Sequence, residues 1–298
     1  MADLYELIEQ PDLEAPVVVL ALEGWIDAGL GAGRAREALL GQLDTTTVAV
    51  FDSDQLLDYR ARRPTMHLEE GIVTRLTWPS IELRAASDAD GNDLLLLVGV
   101  EPDHRWPAFV RSVAGLLLDT GARLAVGLGA YPAAVPHTRP SRLAAAASTP
   151  ELTHRAGYVL ASIEAPAGVQ AGIERRLAEL GVPAVGLWAQ VPHYASAMPY
   201  PSAGAALVDG LAELGSLELD TTTLHRHGEE VRRRLDELLA ANPEHLGMLH
   251  QLEAQWDEAA SGAAPGGQFG ALDASTLPSA DELAAEVERY LREQGRGP

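Results

Sequence analysis

The run Val17-Val18-Val19-Leu20-Ala21-Leu22, followed by Glu23-Gly24-Trp25-Ile26-Asp27-Ala28-Gly29 and a helical pattern from Leu30 to Leu43, decides the fold class. Six apolar residues without alternation read as a strand buried on both faces. The glycines permit a tight turn, and the helix that opens beyond it presents backbone N–H donors toward the strand end. Four more apolar runs have the same character: Val48–Phe51, Leu94–Val98, Leu124–Leu128 and Ala184–Trp188. Helical patterns lie between them, at Trp106–Asp119 and Gly168–Leu180. This alternation predicts an α/β fold with a parallel centre to its sheet and helices on both faces.

Working outward, Ile72–Trp78, Pro79-Ser80 and Ile81–Ala86 alternate apolar and polar residues around a short turn, which predicts an antiparallel hairpin at a sheet edge. From Asp220 the chain becomes an amphipathic helix with a stripe of Leu224, Val231, Leu235, Leu238 and Leu239. Asn242-Pro243 opens another helix, with Leu246, Leu249, Leu252 and Trp256 at helical spacing. Residues 261–279 are rich in Gly, Ala and Pro and read as a flexible connection. A final helix is expected from Ala280 to Arg292, capped by Ser279 with Glu282 three residues on. The expected organisation is a core domain over residues 1–220 and a C-terminal helical extension over 221–298, with the flexible linker at 261–279.

Composition removes whole classes of chemistry. The 298 residues include no cysteine, which excludes disulfides, cysteine-ligated zinc and a thiolate nucleophile. All 22 basic residues are arginines, so neither a Schiff-base lysine nor a P-loop lysine exists. A net charge of -21, with no basic stripe to offset it, argues against a nucleic-acid partner. The hydrophobic runs fall well short of the ~20 residues that cross a bilayer. The start, Met1-Ala2-Asp3-Leu4-Tyr5-Glu6, is acidic where a secretory leader would be positive. A cytoplasmic protein with no membrane partner is expected.

Ligands of open α/β sheets sit beyond the carboxyl ends of the strands. There the sequence places Glu23 and Asp27 after the first run, Glu101 and Arg105 after the third, His137 and Arg139 after the fourth, and His193 after the fifth. Such a set suits acid–base chemistry if it lines one pocket, and a network of structural ion pairs if it does not. No helical His-x-x-x-His, no Gly-x-Gly-x-x-Gly before a helix and no Gly-x-Ser-x-Gly occurs, so no metal or other cofactor is expected. Direct contact is expected between Glu23, Asp27 or Glu101 and Arg105, Arg139 or His137. The charged block Phe51–Pro64 reads as a surface loop, with a protein-facing contact as the alternative.

Five blocks together carry a resemblance over about Val17 to Leu214. They are Glu23–Gly29, the Asp-rich run through Tyr59-Arg60 to Arg63-Pro64, Glu101-Pro102-Asp103 with Arg105-Trp106, Pro136-His137-Thr138-Arg139-Pro140, and Leu187-Trp188 with Val191-Pro192-His193-Tyr194. In this order they resemble the proteasome assembly chaperone 2 family in its actinobacterial form. The resemblance implies a three-layer α/β/α, phosphorylase/hydrolase-like mixed sheet with antiparallel edges. It also implies self-association into a small homo-oligomer, a trimer among the options, and proteasome subunits as partners. Eukaryotic relatives escort proteasome α subunits without enzymatic activity and dock through a C-terminal hydrophobic-Tyr-any-residue signature. This chain ends Arg296-Gly297-Pro298, with Tyr290 the last tyrosine, so tail docking is not carried over. Two functions stay open: a non-enzymatic oligomeric assembly or interaction protein, and a small-molecule hydrolase or nucleoside-phosphorylase-like enzyme using the strand-end cluster.

Overall fold

The computed structural model describes residues 4–24, 26–155 and 164–260. The linker expected at 261–279 and the helix expected at 280–292 lie outside the described residues. In chain order the first half comprises β1 (Tyr5–Leu7), β2 (Val17–Glu23), α1 (Gly31–Gln42), β3 (Thr46–Phe51), α2 (Ser53–Leu56), β4 (Thr65–Glu69), β5 (Ile72–Thr77), β6 (Ile81–Ser87) and β7 (Asp93–Val100). The second half comprises α3 (Trp106–Asp119), β8 (Leu124–Ala133), β9 (Leu143–Ala147), α4 (Pro150–Arg155), α5 (Val169–Glu179), β10 (Ala184–Pro192), α6 (Pro201–Gly215), α7 (Thr222–Ala240) and α8 (Pro243–Ala260).

Eight strands form one mixed sheet in the order β1-β3-β6-β7-β2-β8-β10-β9. Its centre, β7-β2-β8-β10, is parallel, and the flanking pairs are antiparallel. The period-2 geometry of a strand explains why β2 needs no polar alternation. Val17, Val19 and Ala21 enter a core shared with α1, α6 and α7, while Val18, Leu20 and Leu22 enter a second core shared with α3 and α5. Helices thus cover both faces, as expected from the sequence. Leu224, Leu235 and Leu239 of α7 belong to the first of these cores.

The hairpin expected at Ile72–Ala86 is not formed. β5 pairs instead with β4 in a separate two-stranded sheet, and β6 pairs with β3 and β7 in the large one. The tight turn is Glu70-Gly71, where φ is 50° and 83°, the doubly positive geometry of a two-residue hairpin. Trp78-Pro79-Ser80 carries the chain from the small sheet into the large one. β6 alternates because Ile81, Leu83 and Ala85 bury on the α3 side, while Glu82 and Arg84 pair with each other at 2.9 Å on the opposite face.

The sequence reading also passed over α6. Its stripe of Leu207, Val208, Leu211 and Leu214 stands at helical spacing, and its small N-terminal residues allow close approach to α1: a Cβ at Gly204 would stand 3.2 Å from the Ala35 nitrogen, and one at Gly31 would stand 3.0 Å from the Ala203 Cβ.

Candidate functional site

β2 is followed by α1 on one face of the sheet and β7 by α3 on the other, so the carboxyl ends of these neighbours are the switch point at which open α/β sheets form a ligand crevice. The Glu101 N–H donates to the Glu23 carbonyl at 3.0 Å across it. Each acidic side chain there has a definite structural partner. Glu23 pairs with Arg36 of α1 at 2.9 Å. Asp27 accepts from the Ala32 and Gly33 N–H groups at 2.7 and 2.9 Å, and so satisfies two free donors at the start of α1. Burial pushes the Asp27 carboxyl up, against the lowering effect of those two bonds. Glu101, 9% exposed, accepts from the Val169 N–H at 2.6 Å and holds the start of α5.

The turn after Asp27 depends on glycine. Gly29 has φ 61°, and a Cβ there would stand 2.6 Å from the Tyr200 Cβ. Its N–H and carbonyl bond Ser196 and Tyr200, which locks the turn to the segment before α6.

A second polar group fastens the loop after β8 to the C-terminal helices. The His137 N–H donates to the Tyr194 hydroxyl at 2.9 Å, that hydroxyl lies 2.8 Å from His137 Nδ1, and His137 Nε2 lies 3.1 Å from Asp236 on α7. These partners assign a neutral imidazole with its hydrogen on Nε2. Burial lowers the His137 pKa, although Asp236 acts the other way, and burial pushes the Tyr194 hydroxyl up to about 12, so it remains a donor. Arg139 forms a bidentate pair with Asp257 of α8 at 2.9 and 2.7 Å and reaches Glu253 at 3.4 Å. Thr138 donates to Glu253 at 2.6 Å, and the Arg142 guanidinium lies 3.6 Å from the centre of the Trp256 ring.

The seven residues expected at the strand ends therefore fall into separate sets. Glu23, Asp27 and Glu101 border the β2/β7 crevice. His137 and Arg139 join α7 and α8, with exposed His193 stacked edge-on to Tyr194 at 5.3 Å. Arg105, in a left-handed conformation with φ 60°, donates to the Gln55 side-chain oxygen. Among the described residues, the expected contacts between the three carboxylates and Arg105, Arg139 or His137 do not form. Asp236 instead meets His137, and Glu253 and Asp257 take Arg139; their positions on α7 and α8 gave the sequence reading no reason to single them out.

Sequence reasoning also missed Glu174 and its surroundings. Burial pushes the Glu174 carboxyl up to about 7, and Gln170 donates to it at 3.0 Å. A signal was present: Ala125-Val126-Gly127-Leu128 and Ala184-Val185-Gly186-Leu187 are the same tetrapeptide, each followed later by Val-Pro-His. The two copies lie side by side in register on β8 and β10, and their glycines lie beneath Glu174.

The model of the PAC2 family matches residues 21–239. Among solved structures, a Mycobacterium tuberculosis protein of unknown function is 37% identical, with a TM-score of 0.80 over 88% of this chain and 93% of that one. A Corynebacterium glutamicum protein of unknown function is 32% identical, with a TM-score of 0.82 over 88% and 99%. A Mycobacterium tuberculosis proteasome-assembly chaperone homologue is 30% identical, with a TM-score of 0.72 over 79% and 99%. No curated protein matches the chain.

Proposed function

The chain belongs to the PAC2 family, and from that premise we propose that it is a non-enzymatic, homo-oligomeric assembly or interaction protein. The observation that carries this reading is the β4–β5 hairpin. Met66 and Leu76 are register partners, as are Leu68 and Val73. A bulge between them restores the phase, so that all four side chains share one face. They are 45–54% exposed, with Ile72 and Trp78 exposed beside them.

A lone two-stranded hairpin is marginally stable in water, and an exposed apolar face of this kind marks an interaction surface. Charge favours a second copy of the same chain as its cover. Residues 58–78 carry Arg60, Arg62, Arg63 and Arg75 against Asp58, Glu69 and Glu70, in a chain whose net charge is -21. The hairpin and its flank are thus close to charge balance, without the net acidity that repels like copies elsewhere. Completing the burial of four half-exposed side chains contributes about 1 kcal/mol each, several kcal/mol per interface.

The strand-end acids support the same reading, because Glu23, Asp27 and Glu101 are each engaged in holding a helix start or an arginine. The proteasome-assembly chaperone homologue among the relatives makes proteasome α subunits the first partners to test. The purified protein is mixed with purified α subunits and the mixture is run on a sizing column. Co-elution is the expected result. Separate elution at every ratio counts against a proteasome partner while leaving self-association to be judged by mass.

A further inference from the structure

β8 and β10 leave a bare strip of backbone on the face that α5 covers. The register sets Gly127 beside Gly186 and Gly129 beside Trp188. A Cβ at Gly127 would stand 2.1 Å from Gln170 Nε2 and 2.2 Å from Glu174 Oε1. One at Gly186 would stand 3.0 Å from Glu174 Oε1 and 3.2 Å from Trp188 Nε1, and one at Gly129 would fall 2.5 Å from the Trp188 ring. Three missing methyl groups therefore let a carboxyl, an amide and an indole lie on the same stretch of sheet. All three residues are partly exposed, while the Glu174 carboxyl itself is desolvated against the sheet.

Packing gives no reason for an acid here. The same helix meets the same sheet through Val169, Ile173 and Leu177, and a further apolar residue would suit that interface better. Among the described residues, Gln170 is the only hydrogen-bond partner of Glu174, and no arginine or histidine pairs with it. A desolvated carboxyl without a counter-charge is held at a cost to folding. The surrounding chemistry points to what offsets that cost. An indole beside a desolvated carboxylate attracts a cation through both its ring and the charge. A single carboxylate is a poor match for a divalent metal, which gathers several oxygen ligands. The chain's net charge of -21 raises the concentration of small cations around it.

We propose that Glu174, Gln170 and Trp188 bind a small organic ammonium cation, with the carboxylate as counter-ion, the Gln170 amide oxygen as second acceptor and the Trp188 indole against the alkyl part. This site is independent of the oligomeric reading. The test is calorimetric titration of the full chain with n-butylammonium chloride near neutral pH, in two buffers of unlike ionisation heat. Wild type takes up the cation and releases a fraction of a proton, because the cation draws Glu174 into its ionised form. Glu174→Gln weakens binding by about tenfold or more and removes the proton release. Trp188→Leu weakens binding but keeps the proton release, which preserves the test if Glu174→Gln fails to fold. Three results overturn the proposal: no uptake by folded wild type, equal uptake by Glu174→Gln, or uptake that raised salt abolishes, since salt screens only exposed carboxylates so strongly.

Discussion

At the carboxyl ends of β2 and β7, three acids are each bonded to a helix start or an arginine of their own chain, whereas on the β4–β5 hairpin four apolar side chains stand about half exposed. In the first region polar groups are used internally and hold the fold's most demanding turns. In the second, apolar surface is left without a cover of its own. This difference is what the proposed interaction role rests on: apolar surface open on the hairpin, and acids bonded within the chain at the strand ends.

The largest expected effect lies on the hairpin. Leu68→Glu with Val73→Glu places two carboxylates on the apolar face of each copy, and we expect self-association to weaken by about a hundredfold or more, roughly 3 kcal/mol or above. Sedimentation at several concentrations reads this, and unchanged association would move the interface elsewhere. Because β4 and β5 stand outside the large sheet, the far-ultraviolet circular dichroism and melting temperature should stay near those of wild type.

Next comes Glu174. Its folded pKa of about 7 lies above the ordinary unfolded value, so between about 4.3 and 7 the unfolded chain binds fewer protons than the folded one. Stability contributed by the protonated form is therefore present below that window and lost as pH rises through it. Glu174→Gln should raise stability at neutral pH by on the order of 2 kcal/mol and flatten this part of the pH profile. Denaturant melts of both proteins across the window would show it. His137 works with the opposite sign: burial lowers its folded pKa, so stability is lost on acidification below about 6.5, where the buried ring must take a charge and its Nδ1 stops accepting from the Tyr194 hydroxyl, while the Asp236 contact offsets part of the loss.

Asp27→Ala sharpens the other half of the comparison. It frees two N–H groups at the start of α1 and should lower stability by about 1–2 kcal/mol, read as a drop in melting temperature. An unchanged melt would mean that the crevice acid is held for something other than the fold. The smallest effect is expected at Arg139→Ala, whose pairs with Asp257 and Glu253 are screened by solvent, so the melting temperature should barely move.

The fold was largely legible because fully buried strands write themselves as unbroken apolar runs, and Val17–Leu22 and Leu94–Val98 sit at the centre of the sheet where both faces are covered. Alternation was a weaker guide. It marked β5 and β6 as strands, yet two strands in sequence need not pair, and the Glu70-Gly71 turn that joins β4 to β5 was hidden in a charged stretch. The candidate site was legible only as residue types. That Asp27 sits at a helix start could be anticipated from its spacing to Gly31–Gln42, but Asp236 and Asp257 lie about a hundred residues from the histidine and arginine they bind, and only packing of α7 and α8 brings them there. Gly127 and Gly186 were visible as repeated letters, while the need for them follows from Gln170 and Glu174 lying over the sheet.

The most direct test of the central claim is the mass of the wild-type protein in solution, measured by light scattering over a range of concentrations. The account predicts a species at a whole-number multiple of 31.6 kDa that falls toward the monomer in the Leu68→Glu, Val73→Glu variant. A single 31.6 kDa wild-type species at every concentration would contradict it.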